Sequence, residues 1–491
     1  MDTSTTTEFA RREADRRRRH VELYDRHAGE RDRWRRRNAA YYRAIERLVR
    51  FVVPDGAEVL EIGCGTGDLL AACRPRRGVG LDIAPGMIDR ARQKYPHLEF
   101  VVGDAETLEA TALAGRTFDY IIMSDVVGHL FDVWAAFRGL RQLCTAGTRV
   151  VVTYYNFLWH PLLALGERLG LKMPIEPQNW LGMHDLSNLL ELNHFDIVRR
   201  GTAQLVPLPV PLVAPLVNRH LASAPGLRHL ALTQFFVCRL AYGGGPIPTR
   251  HHSCSVIVPC KNERGTIDEL IARVPAMGLG TEIIFVDGGS DDGTVKVIES
   301  HIEAGTRPGI RLIQQGDGRG KADAVHKGFA AATGDLLFIL DADLTVPPED
   351  LAKFYAAIAE GKAEFVNGSR LVYPMEGEAM RFLNSVGNKL FGWALSAVLE
   401  QRLKDTLCGT KVLFRRDYER MVAQRAFFGD FDPFGDFDLL FGAAKQNLKM
   451  IELPVRYRAR IYGETKIRRF ANGTALLRMT LHAFRKFRRA Y

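Results

Sequence analysis

The chain has 491 residues, 46% of them apolar and 25% charged, and a formal net charge of +10. That length exceeds one ordinary core, and the composition excludes a disordered, fibrous or disulfide-stapled protein, so two or three globular domains are expected. The seven cysteines are scattered without a C-x-x-C pair, and no apolar run reaches the roughly 20 residues of a spanning helix. A soluble or peripheral protein of the reducing cytosol, at the inner face of the cell membrane, is the expectation.

The excess charge gathers at the two ends, in Arg11 to Arg37 and in Lys466 to Arg489. Residues 9–50 are expected to form a basic helix. Glu13, Asp15, Glu22, Asp25, Glu30 and Asp32 are interleaved with Arg16 to Arg19 and Arg33 to Arg37, which suits a solvated helix surface. Nucleic acid is not an expected partner, because no base-stacking or RNA-binding motif accompanies the charge.

Residues 51–155 read as the core of a parallel doubly wound sheet. Apolar strands at Glu58 to Ile62, Val79 to Asp82, Glu99 to Val102, Tyr120 to Met123 and Arg149 to Thr153 alternate with helical stretches. The first runs into Gly63-Cys64-Gly65-Thr66-Gly67, where glycines let the backbone turn tightly and press on a ligand. A dinucleotide fingerprint needs Gly or Ala at 68, and Asp68 stands there. Glu61-x-Gly63-x-Gly65-x-Gly67, followed by Asp82, Asp104 and Asp125 at later strand ends, resembles the ordered motifs of class I S-adenosylmethionine-dependent methyltransferases. The resemblance implies a Rossmann-like fold that binds S-adenosylmethionine, with Asp82 on the ribose hydroxyls, Asp104 at the adenine amino group and Asp125 close by. Methyl transfer rests on alignment of donor and acceptor, so no single catalytic side chain is required. His129, Tyr154, Tyr155, His160, His184 and Asp185 are the candidates for deprotonating a hydroxyl acceptor.

Residues 156–241 are expected to form a cap, in which Pro207, Pro209, Pro211 and Pro215 break an apolar stretch into a lid or surface loop. Tyr242-Gly243-Gly244-Gly245-Pro246-Ile247-Pro248 marks a linker over 242–252, and the first domain is therefore set at 1–241.

In the second half, strands at Ser255 to Pro259, Glu282 to Val286, Arg311 to Gln314 and Leu336 to Leu340 repeat the α/β grammar. Three of them end in polar turns: Cys260-Lys261-Asn262-Glu263, Asp287-Gly288-Gly289-Ser290-Asp291-Asp292, and Asp341-Ala342-Asp343. Paired carboxylates at a strand end suit a divalent cation carrying phosphates. Over residues 253–467 this set resembles the inverting family 2 glycosyltransferases of the GT-A fold. The polyprenyl-phosphate branch, which includes dolichol-phosphate mannosyltransferase, is the part it looks most like. Gly316-Asp317-Gly318-Arg319-Gly320-Lys321-Ala322, Gly368-Ser369-Arg370, Asp405 to Lys411, and Arg458-x-Arg460-x-x-Gly463-Glu464-Thr465-Lys466 carry that resemblance.

It implies that Pro259, Glu263, Asp287, Gly288, Lys321 and Asp341 bind a UDP- or GDP-sugar, and that Asp341 and Asp343 hold Mg²⁺ or Mn²⁺. Arg370, Arg458, Arg460, Thr465 and Lys466 are then the phosphate and acceptor contacts. Thr345 stands where some relatives carry a glutamine metal ligand. An ionised lipid phosphate needs no general base, whereas a hydroxyl acceptor needs one, for which Asp405 and Asp436 are the family positions.

Residues 468–491 are expected to form a basic amphipathic helix, with Phe470, Leu477, Leu481, Phe484 and Tyr491 beside Arg478, Arg485, Lys486, Arg488 and Arg489. It suits an anionic membrane surface or a dock on its own domain. The expected protein is thus bifunctional, α/β throughout, with two doubly wound domains. In the alternative, the first half is a non-catalytic S-adenosylmethionine-binding or tethering module, and the transferase acts on a hydroxyl glycan.

Overall fold

The structure is a computed structural model that describes residues 17–174, 181–207, 210, 212–222, 226–241, 251–317, 320–370, 382–424, 437–455, 457, 460, 462 and 469–487. For 157, 184, 220, 382–390 and 469–476 it describes the backbone alone. The chain forms two compact units, Met1–Ala241 and Tyr242–Phe487. Each is built on a seven-stranded mixed sheet.

In the first unit the strand order is β3-β2-β1-β4-β5-β7-β6, with β1 (Glu58–Ile62), β2 (Arg77–Asp82), β3 (Glu99–Val102), β4 (Phe118–Ser124), β5 (Cys144–Tyr155), β6 (Phe195–Ala203) and β7 (Thr233–Leu240). β1, β2, β3, β4 and β5 are parallel, and β1 lies between β2 and β4, so the order reverses there. Helices cover both faces, which is why β1 reads as a near-continuous apolar run, with Val59, Leu60 and Ile62 buried. β7 runs antiparallel to both β5 and β6, a feature absent from the expected parallel grammar. A fully apolar strand carries no mark of direction, and only its ladder partners set it.

The basic segment is not one helix. It comprises α1 (17–27), a 3₁₀ turn at Ala28–Glu30, α2 (Arg31–Arg37) and α3 (Ala39–Val52). Ile45, Leu48, Val49 and Val52 recur at helical spacing and are buried. Among the described residues this unit also has α4 (Asp68–Ala72), α5 (Pro85–Lys94), α6 (Val133–Leu140), α7 (His160–Arg168), α8 (Met183–Leu192) and α9 (Val213–His220).

The second sheet has the order β10-β9-β8-β11-β13-β12-β14, with β8 (Cys254–Cys260), β9 (Thr281–Asp287), β10 (Ile310–Gln314), β11 (Leu336–Ile339), β12 (Phe365–Ser369), β13 (Lys411–Phe414) and β14 (Met450–Pro454). β10, β9, β8 and β11 are parallel, and β13 is antiparallel between β11 and β12. Around it lie α10 (Ile267–Arg273), α11 (Thr294–Glu303), α12 (Gly320–Ala331), α13 (Leu351–Ala359), α14 (Phe382–Leu399), α15 (Arg415–Ala423), α16 (Phe437–Lys445) and α17 (Arg469–Phe487). α17 packs against α14, burying Met479, Ala483 and Phe487, while Leu477 and Leu481 remain exposed. Among the described residues no helix is long and apolar enough to cross a membrane, and all seven cysteines are free thiols.

Candidate active sites

In the first unit, a mostly apolar cavity of about 650 Å³ sits over the end of β1. Glu61, Gly63, Gly65, Asp82, Asp104 and Asp125 all line it. Gly63 and Gly65 have φ of 72° and 52°, in the left-handed region that favours glycine, and a Cβ on Gly63 would lie 2.6 Å from the Val126 side chain. Gly67 does not line the cavity; its missing Cβ makes room for Phe100 and Tyr95 where α4 starts.

The carboxylates differ in their tasks. Asp82 accepts from the backbone N–H groups of Gly65 (2.8 Å) and Ala84 (3.0 Å), so it fastens the glycine turn to the end of β2. Burial holds its carboxyl above the ordinary range. Glu61 lies under the turn and accepts from the Leu70 N–H at 2.8 Å, and burial pushes it up to about 8. Asp125, itself at φ 57°, accepts from the Tyr41 hydroxyl at 2.5 Å, and burial raises its pKa too. Asp104 accepts from the Glu106 N–H and pairs with Arg17, which also pairs with Glu106.

The basic segment roofs this cavity. Arg31, Trp34, Arg35, Tyr41 and Tyr42 line it, Arg31 and Arg35 stack on Tyr42, and Arg35 pairs with Glu46 at 2.8 Å. The expectation of a solvated helix surface is corrected for Arg17 and Arg35, and Arg31 too is only partly exposed, whereas Arg18, Arg19, Arg33, Arg36 and Arg37 are exposed. Charge count alone does not distinguish the inward from the outward face of such a segment. Of the candidate acceptor groups, His129 and Tyr155 line the cavity. Burial pushes the His129 imidazole down to about 3, so it is neutral at ordinary pH. Tyr154 is buried and stacked on Tyr155, His160 does not line the cavity, and Asp185 is exposed and accepts from the Gly182 N–H at the start of α8. The His184 side chain lies outside the described residues.

In the second unit, the turns after β8, β9 and β11 open at one end of the parallel strands, where α/β folds bind ligands. Asp341 pairs with Lys321 at 2.6 Å, and Asp343 pairs with Arg460 at 2.8 Å. Arg460 also reaches Glu263 at 3.4 Å, which links the β8 turn to the carboxylate pair. Burial raises the Asp341 pKa, but Lys321, Lys411 and Arg370 outweigh it and hold the carboxyl below its ordinary value. A Cβ on Gly409 would lie 2.2 Å from the Asp341 carboxylate and 2.5 Å from the Lys321 amine, so the backbone after Cys408 presses on this pair. Thr345 donates its hydroxyl to Asp343 at 2.7 Å, so it orients the carboxylate.

Asp287 is buried; its carboxylate accepts the N–H groups of Gly289 and Ser290, each at 3.0 Å, and thereby shapes the β9 turn. Gly288 donates to the Cys260 carbonyl at 2.9 Å, and Pro259 is half-buried beside it. Asp405 is fully buried and receives Arg370 through two hydrogen bonds of 2.8 Å. A carboxylate engaged this way positions the Arg370 guanidinium. The Arg370 guanidinium stacks over Tyr457 at 5.2 Å. Asp436, Arg458, Thr465, Lys466 and residues 242–250 of the linker lie outside the described residues.

Residues 60–150 match the family model described as a methyltransferase domain. Residues 255–422 match the glycosyl transferase family 2 model. The chain joins a methyltransferase domain to a family 2 glycosyltransferase domain. A dolichol-phosphate mannosyltransferase of Pyrococcus furiosus is 28% identical over 236 residues, 47% of this chain and 62% of that protein. An undecaprenyl-phosphate 4-deoxy-4-formamido-L-arabinose transferase of an Enterobacter species is 36% identical over 116 residues, 22% of this chain and 35% of that protein. The chain thus spans less than two thirds of the length of either relative. Among solved structures, a SAM-dependent methyltransferase of Thermotoga maritima, described as a possible histamine N-methyltransferase, covers 44% of this chain and 99% of its own. It has 17% identity and a TM-score of 0.37.

Sequence reasoning missed Arg17, Tyr41 and Glu106 in the methyltransferase domain and Tyr457 in the glycosyltransferase domain. The apolar spacing of Ile45, Leu48, Val49 and Val52 was the available signal that the segment carrying Tyr41 packs on the core. Nothing local marks Arg17, whose partners lie 87 and 89 residues away.

Proposed function

We propose that the chain is a bifunctional transferase. Its first domain moves a methyl group from S-adenosylmethionine, and its second moves a sugar from a nucleotide donor to a polyprenyl phosphate, with inversion, at a cytosolic membrane face. The observation that carries this reading is the carboxylate pair Asp341 and Asp343, flanked by Lys321 and Arg460 at the end of β11.

The residues fit the groups that the reading requires. Asp341 and Asp343 offer hard oxygen ligands, and no cluster of three or more His, Cys, Asp or Glu among the described residues makes a protein-only cage. A cation there would complete its shell with diphosphate oxygens. Mg²⁺ or Mn²⁺ at this pair supplies neutralisation of the charge on the departing nucleoside diphosphate. Lys321 and Arg460 add positive charge beside the same oxygens, and Asp287 and Glu263 stand at the neighbouring turns for the nucleoside. The phosphate acceptor attacks the anomeric carbon as the bond to the diphosphate breaks on the opposite face. An ionised phosphate needs orientation by cations, for which Arg370 is already held rigid by Asp405. The names of the two relatives point to lipid phosphates.

In the first domain, the cavity fits a nucleoside with an apolar annex: glycines allow close approach, and Asp82, Asp104 and Asp125 offer polar contacts. S-adenosylmethionine supplies an electrophilic methyl group, and the domain's part is alignment and exclusion of water. The test is mass spectrometry of lipids after incubation with a short polyprenyl phosphate, Mn²⁺ or Mg²⁺, S-adenosylmethionine and a panel of UDP- and GDP-sugars. A lipid heavier by one sugar is expected. Absence of any such product from folded, donor-binding protein refutes the lipid acceptor.

A further inference from the structure

Three elements of the methyltransferase domain carry exposed leucines and arginines for which the two reactions have no evident use. The Trp159 indole N–H, at the start of α7, donates to the Leu230 carbonyl at 2.8 Å, and Asn156 donates to the His229 carbonyl at 2.7 Å. These bonds tie α7 to the 3₁₀ turn at Leu227–Leu230. The Asn218 side chain of α9 exchanges two hydrogen bonds of 2.7 Å with the backbone of Val206, a residue of the cavity wall. α7, the turn and α9 are therefore fastened around the same cavity.

Their outward side chains are large and apolar. Leu162 and Leu169 of the α7 region are 59% and 64% exposed, and Leu212 and Leu216 of the α9 region are 87% and 63% exposed. Single exposed leucines are ordinary, but a group of this size on cross-tied elements marks an interaction surface. Leu162 and Leu171 belong to both this surface and the cavity lining, so the cavity opens here.

The charge around the leucines has one sign. From Ile197 to Asn262 the sequence contains no aspartate or glutamate, while Arg219 and Arg228 are exposed among the leucines. On α7, Arg168 is exposed, and the acidic Glu167 is taken up by Lys172. Apolar side chains that enter the acyl boundary, framed by cations that meet anionic headgroups, are the chemistry of a helix lying in a bilayer interface.

We propose that α7, α9 and the turn at Leu227–Leu230 dock the methyltransferase domain on an anionic lipid bilayer, with the mouth of its cavity facing the lipid. A protein partner of the same surface would need acidic groups, and a second copy of this chain would bring its own arginines against these.

The experiment uses the full chain and vesicles of phosphatidylcholine with one quarter phosphatidylglycerol, compared with phosphatidylcholine alone. Leu165→Glu/Leu169→Glu and Leu212→Glu/Leu216→Glu alter exposed positions outside the cavity lining. Each pair is expected to weaken sedimentation with the anionic vesicles at least tenfold. S-adenosylmethionine binding, followed by calorimetry, is expected to stay within twofold, and its failure in wild-type protein would concern the methyl-donor reading alone. In wild-type protein, hydrogen exchange is expected to slow in 158–172 and 205–230 when vesicles are added. Unchanged exchange there overturns the proposal, as does a variant that sediments like wild type, because attachment then runs through another surface. Leucine-dependent dimerisation without vesicle binding overturns it as well and gives the face to a second copy.

Discussion

Replacing Glu61 with glutamine should make β1 more stable at neutral and alkaline pH and remove much of its pH dependence. Glu61 is buried under the glycine turn, where its carboxyl accepts the Leu70 N–H at 2.8 Å, and burial moves its pKa from 4.5 to about 8. A carboxyl raised in the folded state keeps its proton where the unfolded chain has released it. The stability this contributes is complete below pH 4.5 and is lost as pH rises through about 8. At 1.36 kcal/mol per pH unit, the full displacement from 4.5 to about 8 converts to about 4–5 kcal/mol. Between pH 5.5 and 7.5 the loss is about 2–3 kcal/mol by the same conversion. Glutamine keeps the acceptor oxygen for Leu70 and cannot ionise. Hydrogen-exchange mass spectrometry of peptides across β1 and β4, corrected for intrinsic rates, reads the opening free energy in the intact chain. The wild-type value should fall over that interval and the Glu61→Gln value should stay level. Parallel slopes in the two proteins would refute a protonated Glu61 beneath the turn.

Asp343→Ala should abolish sugar transfer while S-adenosylmethionine titrates as in wild type; loss of both from folded protein would contradict independent sites. Arg370→Met should destabilise the glycosyltransferase domain by about 3–5 kcal/mol in urea unfolding, because Asp405 is left charged and fully buried. Adding Asp405→Asn should recover part of that loss, and a cost below about 1 kcal/mol would show the pair to be dispensable. Gly409→Ala forces Asp341 and Lys321 apart and should slow sugar transfer on the order of 10²-fold with little change in melting temperature. Transfer at the wild-type rate would mean that the pair tolerates displacement.

Much of the fold was legible because parallel strands buried on both faces leave continuous apolar runs, and their ends carry the chemistry. Glu58 to Ile62 became β1 residue for residue, and the turns at Gly63, Asp287 and Asp341 open at the ends of β1, β9 and β11. Asp82 ends β2 and Asp104 stands two residues beyond β3, positions that the neighbouring apolar runs announce, and both line the cavity. The directions of β7 and β13 were not legible, since an apolar run is the same read either way. The pairing of Asp405 with Arg370 was not legible, because the two lie 35 residues apart and only packing brings them together.

By itself the sequence determined two α/β domains and the residue types at their strand ends, because backbone turns and strand burial are local constraints written within a few residues. The tertiary structure alone decided which charges face inward: Arg17 over Asp104, Arg460 across Glu263 and Asp343, and Arg370 on Asp405. The reason is physical. A charge on a helix or loop is stabilised equally well by water or by a partner, and which it meets depends on how distant segments pack.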